Sequence, residues 1–242
     1  MLSPGGLAAE WTIVPQGDRC LLLIFGDRIE VEVGLRCARA AAALRAAEIE
    51  GVTDVVPSFT AVAVHYRPGH LGAAISFDQL SADIRQVLVA AQRNDAQTQP
   101  GKQVDIPVCY GGEYGPDLLD VARHCGLEPA EVIALHSGSP AYVFMLGFAP
   151  GAPYIGVHDP RLSIGRRQTP RTLVPAGSVG IANLQTMIYP NASPGGWQII
   201  GATPVTLFNP DKDPAVLLEP GDTVRFVPIS SEEFLAFQGG RA

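Results

Sequence analysis

The chain has 242 residues, of which 47% are apolar and 17% charged, and its formal net charge is −7. This apolar content excludes a disordered chain, because it is enough to build a buried core. The acidic balance argues against general nucleic-acid binding, which needs a basic surface. Residues 1–10 lack the features of a signal peptide, and no run of about 18 apolar residues predicts a membrane span. We therefore expect a protein that binds neither nucleic acid nor a membrane.

The first hundred residues alternate short apolar runs with two helical patterns. An Ala-rich stripe marks the first helix, and a capping-box pattern from Ser76 to Gln79 marks the second. The predicted strands are 12–14, 20–25, 52–56 and 61–66, and the predicted helices are 31–49 and 76–93. Helices packed on an antiparallel sheet form an α/β sandwich, and we predict such an N-terminal domain over 1–94.

A polar segment containing Pro and Gly follows, and it predicts a linker over 95–102. The rest of the chain, 103–242, forms the second predicted domain. Its elements are predicted as strands 104–109, 179–182, 197–200, 205–208 and 223–227, helices 117–125 and 129–136, and at most a short helix after 231. Many short strands between Gly and Pro residues are typical of a β-barrel or sandwich, so the predicted fold class is α+β.

The cysteines are too few and too scattered to indicate a metal site. Cys20, Cys37, Cys109 and Cys125 have neither CxxC spacing nor a histidine at metal-ligand spacing, so we predict no metal. A chain of this length does not need disulfides, and we expect reduced thiols and a cytoplasmic location. A phosphate loop and the common hydrolase motifs are missing, so the chain is not expected to bind and split ATP unaided.

The most informative feature is a run of positive charge. From 160 to 210 there is no Asp, Glu, Lys or His, and the charged residues are Arg161, Arg166, Arg167 and Arg171. Guanidinium groups match carboxylate and phosphate oxygens, so unpaired arginines among Gly and Pro residues predict an anion site. The alternative is that they pair with acids elsewhere, such as Asp159, or face water.

Several other residues are candidates for a site. The Pro- and Gly-rich loop 147–154 predicts a rigid segment that presents Phe148 and Tyr154 to a ligand or partner, or else a barrel corner with buried aromatics. Gln185 and Tyr189 are candidate pocket groups, and Trp197 is either a stacking wall or a core residue. His158 is a candidate general acid or base whose pKa Asp159 is expected to raise. For His136 a last-turn helix position is the simpler interpretation.

Five segments together resemble one family, and they are long enough to be specific. They are 108–117 (VCYGGEYGPD), 146–156 (LGFAPGAPYIG), 169–181 (TPRTLVPAGSVGI), 185–186 (QT) with 188–190 (IYP), and 193–198 (SPGGWQ). In this order they resemble the family of 5-oxoprolinase B subunits, also called the allophanate hydrolase subunit 1 or sporulation-kinase inhibitor family. Ala152 departs from the family, which usually has Phe there, and so do residues around Asn183, Leu184 and Met187.

The resemblance implies an N-terminal α+β domain followed by a cyclophilin-like β-barrel. It also implies a complex with 5-oxoprolinase C and A subunits that hydrolyses 5-oxo-L-proline to L-glutamate with ATP and Mg²⁺, neither of which this chain binds alone. We expect Arg166, Arg167 and Arg171 to supply the anion-binding field and Gln185 and Tyr189 to orient the substrate. Two alternatives stay open: an inhibitor of a sensor histidine kinase, and half of a urea-carboxylase-type carboxyltransferase site.

Overall fold

The chain forms two compact units in a computed structural model that describes residues 11–67, 76–93 and 101–239. The units are Met1–Gln99 and Pro100–Ala242. Residues 95–100 of the predicted linker lie outside the described residues. Within the described ranges, no helix is both long enough and apolar enough to cross a bilayer. The four cysteines are all free thiols, as predicted.

The first unit is a four-stranded antiparallel sheet with two helices. Its elements are β1 (Thr12–Pro15), β2 (Cys20–Ile24), α1 (Val31–Ala46), β3 (Val52–Pro57), β4 (Ala61–Tyr66) and α2 (Phe77–Arg93), with strand order β1-β2-β4-β3. The side chains of Leu21, Leu23, Val62 and Val64 alternate inward and pack with the apolar stripes of α1 and α2. Ser76 Oγ accepts from the Gln79 backbone N–H at 3.1 Å, which bears out the predicted helix start.

The second unit is a closed barrel of seven strands with helices outside it. Its elements are β5 (Gln103–Tyr110), α3 (Leu118–Cys125), α4 (Pro129–Ser137), β6 (Ala141–Leu146), β7 (Pro153–Gly156), β8 (Arg171–Val174), β9 (Ser178–Ala182), β10 (Gln185–Ile188), β11 (Ser193–Gly195), β12 (Gln198–Ala202), β13 (Thr223–Ile229) and α5 (Ser231–Gly239). Around the barrel the strand order is β10-β7-β6-β13-β5-β12-β9. The α+β class is confirmed.

The inside of the barrel is a packed core rather than a channel. Aliphatic side chains and one aromatic ring fill it, among them Val108, Val143, Ile155, Ile188 and Phe226. Helices α3 and α4 pack on a separate apolar cluster that includes Val121, Val132 and Ile181. The predicted strand 205–208 is wrong: in this segment the structure has a single bridge, from Phe208 to Val216.

Strands β8 and β11 pair as a two-stranded sheet separate from the barrel. They adjoin a third apolar cluster, which contains Val174, Ala182, Met187, Tyr189, Trp197 and Ile199. In this region Gly195 lies directly against the Tyr189 ring, since an added Cβ would stand 2.1 Å from its hydroxyl oxygen. A side chain at position 195 therefore requires the fully buried Tyr189 to move.

Gly195→Ala is expected to lower the free energy of unfolding by about 2 kcal/mol, as overpacking of a tight core does. Gly196→Ala is the matched control, because its added Cβ would have its nearest neighbour, Pro170, at 3.7 Å. We expect the control to cost less than about 0.5 kcal/mol. Urea denaturation of both variants measures the difference, and equal losses would contradict this packing of Tyr189.

Candidate functional site

A buried carboxylate, that of Asp117, lies just before α3 and binds two arginines. Arg171 donates from Nη2 to Oδ1 at 2.7 Å and from Nη1 to Oδ2 at 2.8 Å, the forked geometry that guanidinium and carboxylate groups favour. Arg167 donates from Nη1 to Oδ1 at 2.9 Å, and the Ile199 backbone N–H donates to Oδ2 at 2.6 Å. The Asp117 side chain makes no capping bond to α3. We call Asp117, Arg167 and Arg171 the Asp117 clamp.

The predicted cluster of unpaired arginines is therefore wrong. Arg167 and Arg171 share one carboxylate, and Arg161 is paired with Asp159 at 2.9 Å. The alternative of pairing with acids elsewhere is confirmed for these three arginines. The reason is that Asp117 precedes Arg167 by 50 residues, so a count of charges along the local sequence does not include it.

A positive charge nevertheless remains at this place. The clamp contains two guanidinium groups and one carboxylate, so its formal charge is +1. Arg166 is exposed, and its guanidinium carbon lies 5.5 Å from the centre of the Trp197 ring, a cation–π distance. The region is consequently suited to an anion even though most of its arginines are paired.

A cavity of about 380 Å³ borders the clamp. Its walls are mostly apolar, and they carry a guanidinium, a carboxylate and two hydroxyl groups. The lining residues are Glu113, Tyr114, Pro116, Arg171, Leu173, Val174, Pro175, Ala176, Ser178, Ile199, Ala202 and Phe234. Concave, mainly apolar sites with a few fixed polar groups are typical of small-molecule binding.

Tyr189 and Trp197 lie in the core rather than on a pocket wall. Tyr189 is fully buried, Trp197 is 4% exposed, and both belong to the apolar cluster next to β8 and β11. Burial raises the pKa of the Tyr189 hydroxyl. The predicted contact of these two rings with a ligand is thus corrected, and the alternative of Trp197 as a core residue is confirmed.

Phe148 and Tyr154, which were predicted to lie on one rigid segment, have different surroundings in the structure. Backbone N–H groups of Gly147 and Ala152 donate to carbonyl oxygens within the loop, each at 3.0 Å, which closes it tightly. Phe148 has a φ of 71° and is 65% exposed, whereas Tyr154 packs edge-on against Trp197 with ring centres 6.0 Å apart. Phe148 is therefore the aromatic of this loop that is open to contact from outside.

Two buried histidines meet at a buried threonine hydroxyl beside Phe226 of the barrel core. Nε2 of His136 and Nε2 of His158 lie 2.9 Å and 2.5 Å from Oγ1 of Thr186. Nδ1 of His136 lies 2.7 Å from the Tyr110 hydroxyl, and its ring stacks on Phe226 with centres 4.3 Å apart. We call this series the histidine array: Tyr110, His136, Thr186 and His158.

Burial sets the protonation of the array. It lowers the pKa of His158 from 6.5 to about 4, and burial together with the neighbouring His158 lowers that of His136 well below 6.5. The prediction that Asp159 raises the pKa of His158 is wrong, because burial lowers that pKa instead. The Asp159 carboxylate is bound to Arg161, and this ion pair lowers the pKa of Asp159 to about 2. Both rings are therefore neutral at neutral pH.

The remaining candidate, Gln185, is buried at the start of β10, where it pairs with Gly156 of β7. It neighbours Thr186 in the chain, and successive side chains of a strand point to opposite faces. In the described part of the chain, no group of three or more His, Cys, Asp or Glu residues is placed to hold a metal.

Comparison with known proteins identifies the family. The family described as "Carboxyltransferase domain, subdomain C and D" matches residues 11–218. The B subunit of 5-oxoprolinase from Bacillus subtilis (strain 168) is 40% identical over 238 residues, which cover 96% of this chain and 98% of that protein. The chain belongs to the family of 5-oxoprolinase B subunits.

Two further relatives agree with this family assignment. The 5-oxoprolinase B subunit of Escherichia coli O157:H7 is 52% identical over 137 residues, which cover 57% of this chain and 63% of that protein. The protein in the crystal structure of TTHA0988 has 34% sequence identity to this chain, and the two folds match with a TM-score of 0.75. The match covers 88% of this chain and 40% of the TTHA0988 chain.

In this member of the 5-oxoprolinase B-subunit family, sequence analysis missed three site residues. The predicted anion site did not include Asp117, His136 was interpreted as a last-turn residue, and Tyr110 was not considered. His136 did have a signal, because Val132 and His136 are four residues apart and share the buried face of α4. Asp117 had none, since its partners are 50 and 54 residues further along the chain.

Proposed function

We propose that the chain is a subunit of an ATP-dependent 5-oxoprolinase, which hydrolyses 5-oxo-L-proline to L-glutamate. One observation carries this proposal: the chain aligns with the 5-oxoprolinase B subunit of Bacillus subtilis over almost the whole length of both proteins. An alignment over both full lengths supports a shared role for the entire subunit, whereas a match confined to one domain would support only a shared fold.

The proposed complex contains the C and A subunits of 5-oxoprolinase, and this chain is inactive alone. The chain has no phosphate loop, so we assign ATP and Mg²⁺ to another subunit. We expect the complex in the cytoplasm, where the free thiols of this chain stay reduced.

We assign the substrate carboxylate to Arg171, at the cavity beside the Asp117 clamp. Asp117 holds this guanidinium in one orientation, so binding does not have to order a flexible side chain. The net positive charge of the clamp favours an anion, and the apolar walls suit the carbon ring of 5-oxoproline. The C subunit completes the site in this proposal, with Arg166 adding to the positive field.

Reconstitution tests the function directly. The chain is purified with its candidate A and C subunits, and ATP hydrolysis is measured with and without 5-oxo-L-proline. We expect hydrolysis that depends on 5-oxoproline and on the presence of all three subunits. A complete complex that forms but hydrolyses ATP equally with and without 5-oxoproline would overturn the proposal.

Arg171→Ala is expected to lower 5-oxoproline-dependent turnover at subsaturating substrate by about tenfold or more, the loss of one charged hydrogen-bonding partner. Asp117 keeps its bonds to Arg167 and Ile199 in this variant, so circular dichroism should report a folded barrel. Arg161→Ala is the control, because Arg161 is paired with Asp159 and does not line the cavity. Equal turnover in both variants would remove Arg171 from the substrate site.

A second candidate function follows from the family description, which names a carboxyltransferase domain. In that case the chain forms half of a site that receives a carboxyl group from a biotin-bearing partner. Transfer of labelled carboxylate from carboxybiotin distinguishes the two functions, because a 5-oxoprolinase subunit is expected to show none.

A further inference from the structure

The histidine array is an unbroken hydrogen-bonded series next to the apolar core of the barrel, where His136 stacks on Phe226. Its members come from β5, α4, β10 and the segment after β7, so only the tertiary fold brings them together. None of them lines the cavity beside the Asp117 clamp. The proposed substrate site therefore does not account for the array.

The hydroxyl of Thr186 fixes the arrangement of protons, because it has one hydrogen and two imidazole neighbours. It donates to one ring and accepts from the other, so neutral His136 and His158 carry their ring protons on opposite nitrogens. In the first arrangement Tyr110 donates to Nδ1 of His136, and Nε2–H of His136 donates to Thr186. The Thr186 hydroxyl then donates to Nε2 of His158. In the second arrangement every bond runs the other way.

Conversion between the two arrangements moves one proton across each of three hydrogen bonds. One proton enters at the oxygen of Tyr110 while another leaves Nδ1 of His158, so the charge and the number of protons of the array stay the same. The three donor–acceptor distances are 2.7, 2.9 and 2.5 Å, all within hydrogen-bonding range. The conversion therefore needs no rearrangement of the backbone.

Packing alone gives no reason for these four polar groups. An aliphatic pair in place of His136 and His158 would fill the same volume without the cost of desolvating two imidazoles. The ends of the array also differ from its middle. His136 and Thr186 are completely buried, whereas His158 is 8% exposed and Tyr110 is partly exposed. The two middle groups of the array are thus more deeply buried than the two end groups.

We propose that the histidine array is a proton relay that carries a proton between Tyr110 and His158. The relay restores the proton of His158 from the Tyr110 end through Thr186 and His136.

Hydrogen exchange in the isolated chain tests the relay without any enzymatic assay. In protein labelled with ¹⁵N-histidine, NMR measures the exchange of each ring N–H proton with water. We expect the buried His136 proton to exchange within about threefold of the His158 proton, although groups buried this deeply usually exchange only through opening. Failure of the 5-oxoprolinase proposal would leave this measurement unaffected.

Two substitutions at position 186 form a matched pair. Thr186→Val keeps the shape of the side chain but removes its hydroxyl, so it is expected to slow exchange at His136 by at least about tenfold. Thr186→Ser keeps the hydroxyl and is expected to retain fast exchange. The Val variant breaks the relay, whereas the Ser variant shows whether loss of a methyl group alone matters.

If the array served only to pack the interior, the exchange rates would differ from these expectations in the opposite direction. The His136 proton would then reach water only by local opening, so it would exchange far more slowly than that of His158 in the wild-type chain. Thr186→Val would loosen the site and accelerate this exchange. Either result overturns the relay, and the wild-type comparison decides by itself if the Val variant does not fold.

Discussion

Replacing Asp117 with alanine is expected to lower the free energy of unfolding of the barrel unit by about 3 kcal/mol, because it leaves two guanidinium groups and a backbone N–H without their acceptor. The Asp117 side chain is 3% exposed and accepts four hydrogen bonds, two from Arg171 and one each from Arg167 and Ile199. Urea denaturation followed by Trp197 fluorescence measures the loss. Of the chain's two tryptophans, the other is Trp11, so Trp11→Phe makes the signal specific to the barrel unit.

Asp120→Ala is the matched control for this substitution. Asp120 lies in α3 and forms an ion pair with Arg123, but the two side chains are 66% and 78% exposed. Surface pairs of this kind contribute little, so we expect a change of less than about 0.5 kcal/mol. Asp117→Asn should fall between the two, since it keeps one acceptor oxygen. Equal effects of the two alanine substitutions would contradict a stabilising role for the clamp.

The sequence predicted the elements whose side-chain pattern is local and regular. The hairpin β1–β2, the helices α1 and α2 and the outer helices α3 and α4 all appear within a few residues of their predicted bounds. Strands β6, β7, β8, β10 and β11 were missed. The last four have only three or four residues among Gly and Pro, which is too short a pattern to read. β6 is a continuous apolar run, which does not by itself distinguish a strand from a helix. The error at 205–208 has a related cause: Pro204 and Pro210 flank the segment, and proline cannot donate to a strand ladder.

The site was less predictable than the fold, because its interactions join distant parts of the chain. A local excess of arginine suggested unpaired charge, yet Asp117 binds Arg167 and Arg171 across 50 and 54 residues. His136 was interpreted from its position at a helix end, whereas in the structure it is hydrogen-bonded to Tyr110 and Thr186. The sequence therefore indicated which residues belong to polar sites, but not which side chains they bind.

Acidification is expected to destabilise the barrel unit between pH 6.5 and about pH 4. Burial lowers the pKa of His158 from 6.5 to about 4 and that of His136 well below 6.5 in the folded chain. The unfolded chain binds protons at its histidines near pH 6.5, so below that pH it gains protons that the folded chain does not. Stability is therefore fully present above pH 6.5 and falls as the pH decreases. His158 alone accounts for about 3 kcal/mol of this loss by pH 4.

Urea denaturation at a series of pH values, again followed by Trp197 fluorescence, measures this dependence. His158→Gln removes one of the two buried imidazoles, so we expect a smaller loss of stability on acidification than in the wild type. His124→Gln is the control, because His124 lies exposed on α3 and its replacement should leave the pH dependence unchanged. A wild-type stability that stays constant from pH 7 down to pH 5 would mean that the folded chain takes up protons at the array as readily as the unfolded chain does. In that case burial does not control the charge of His136.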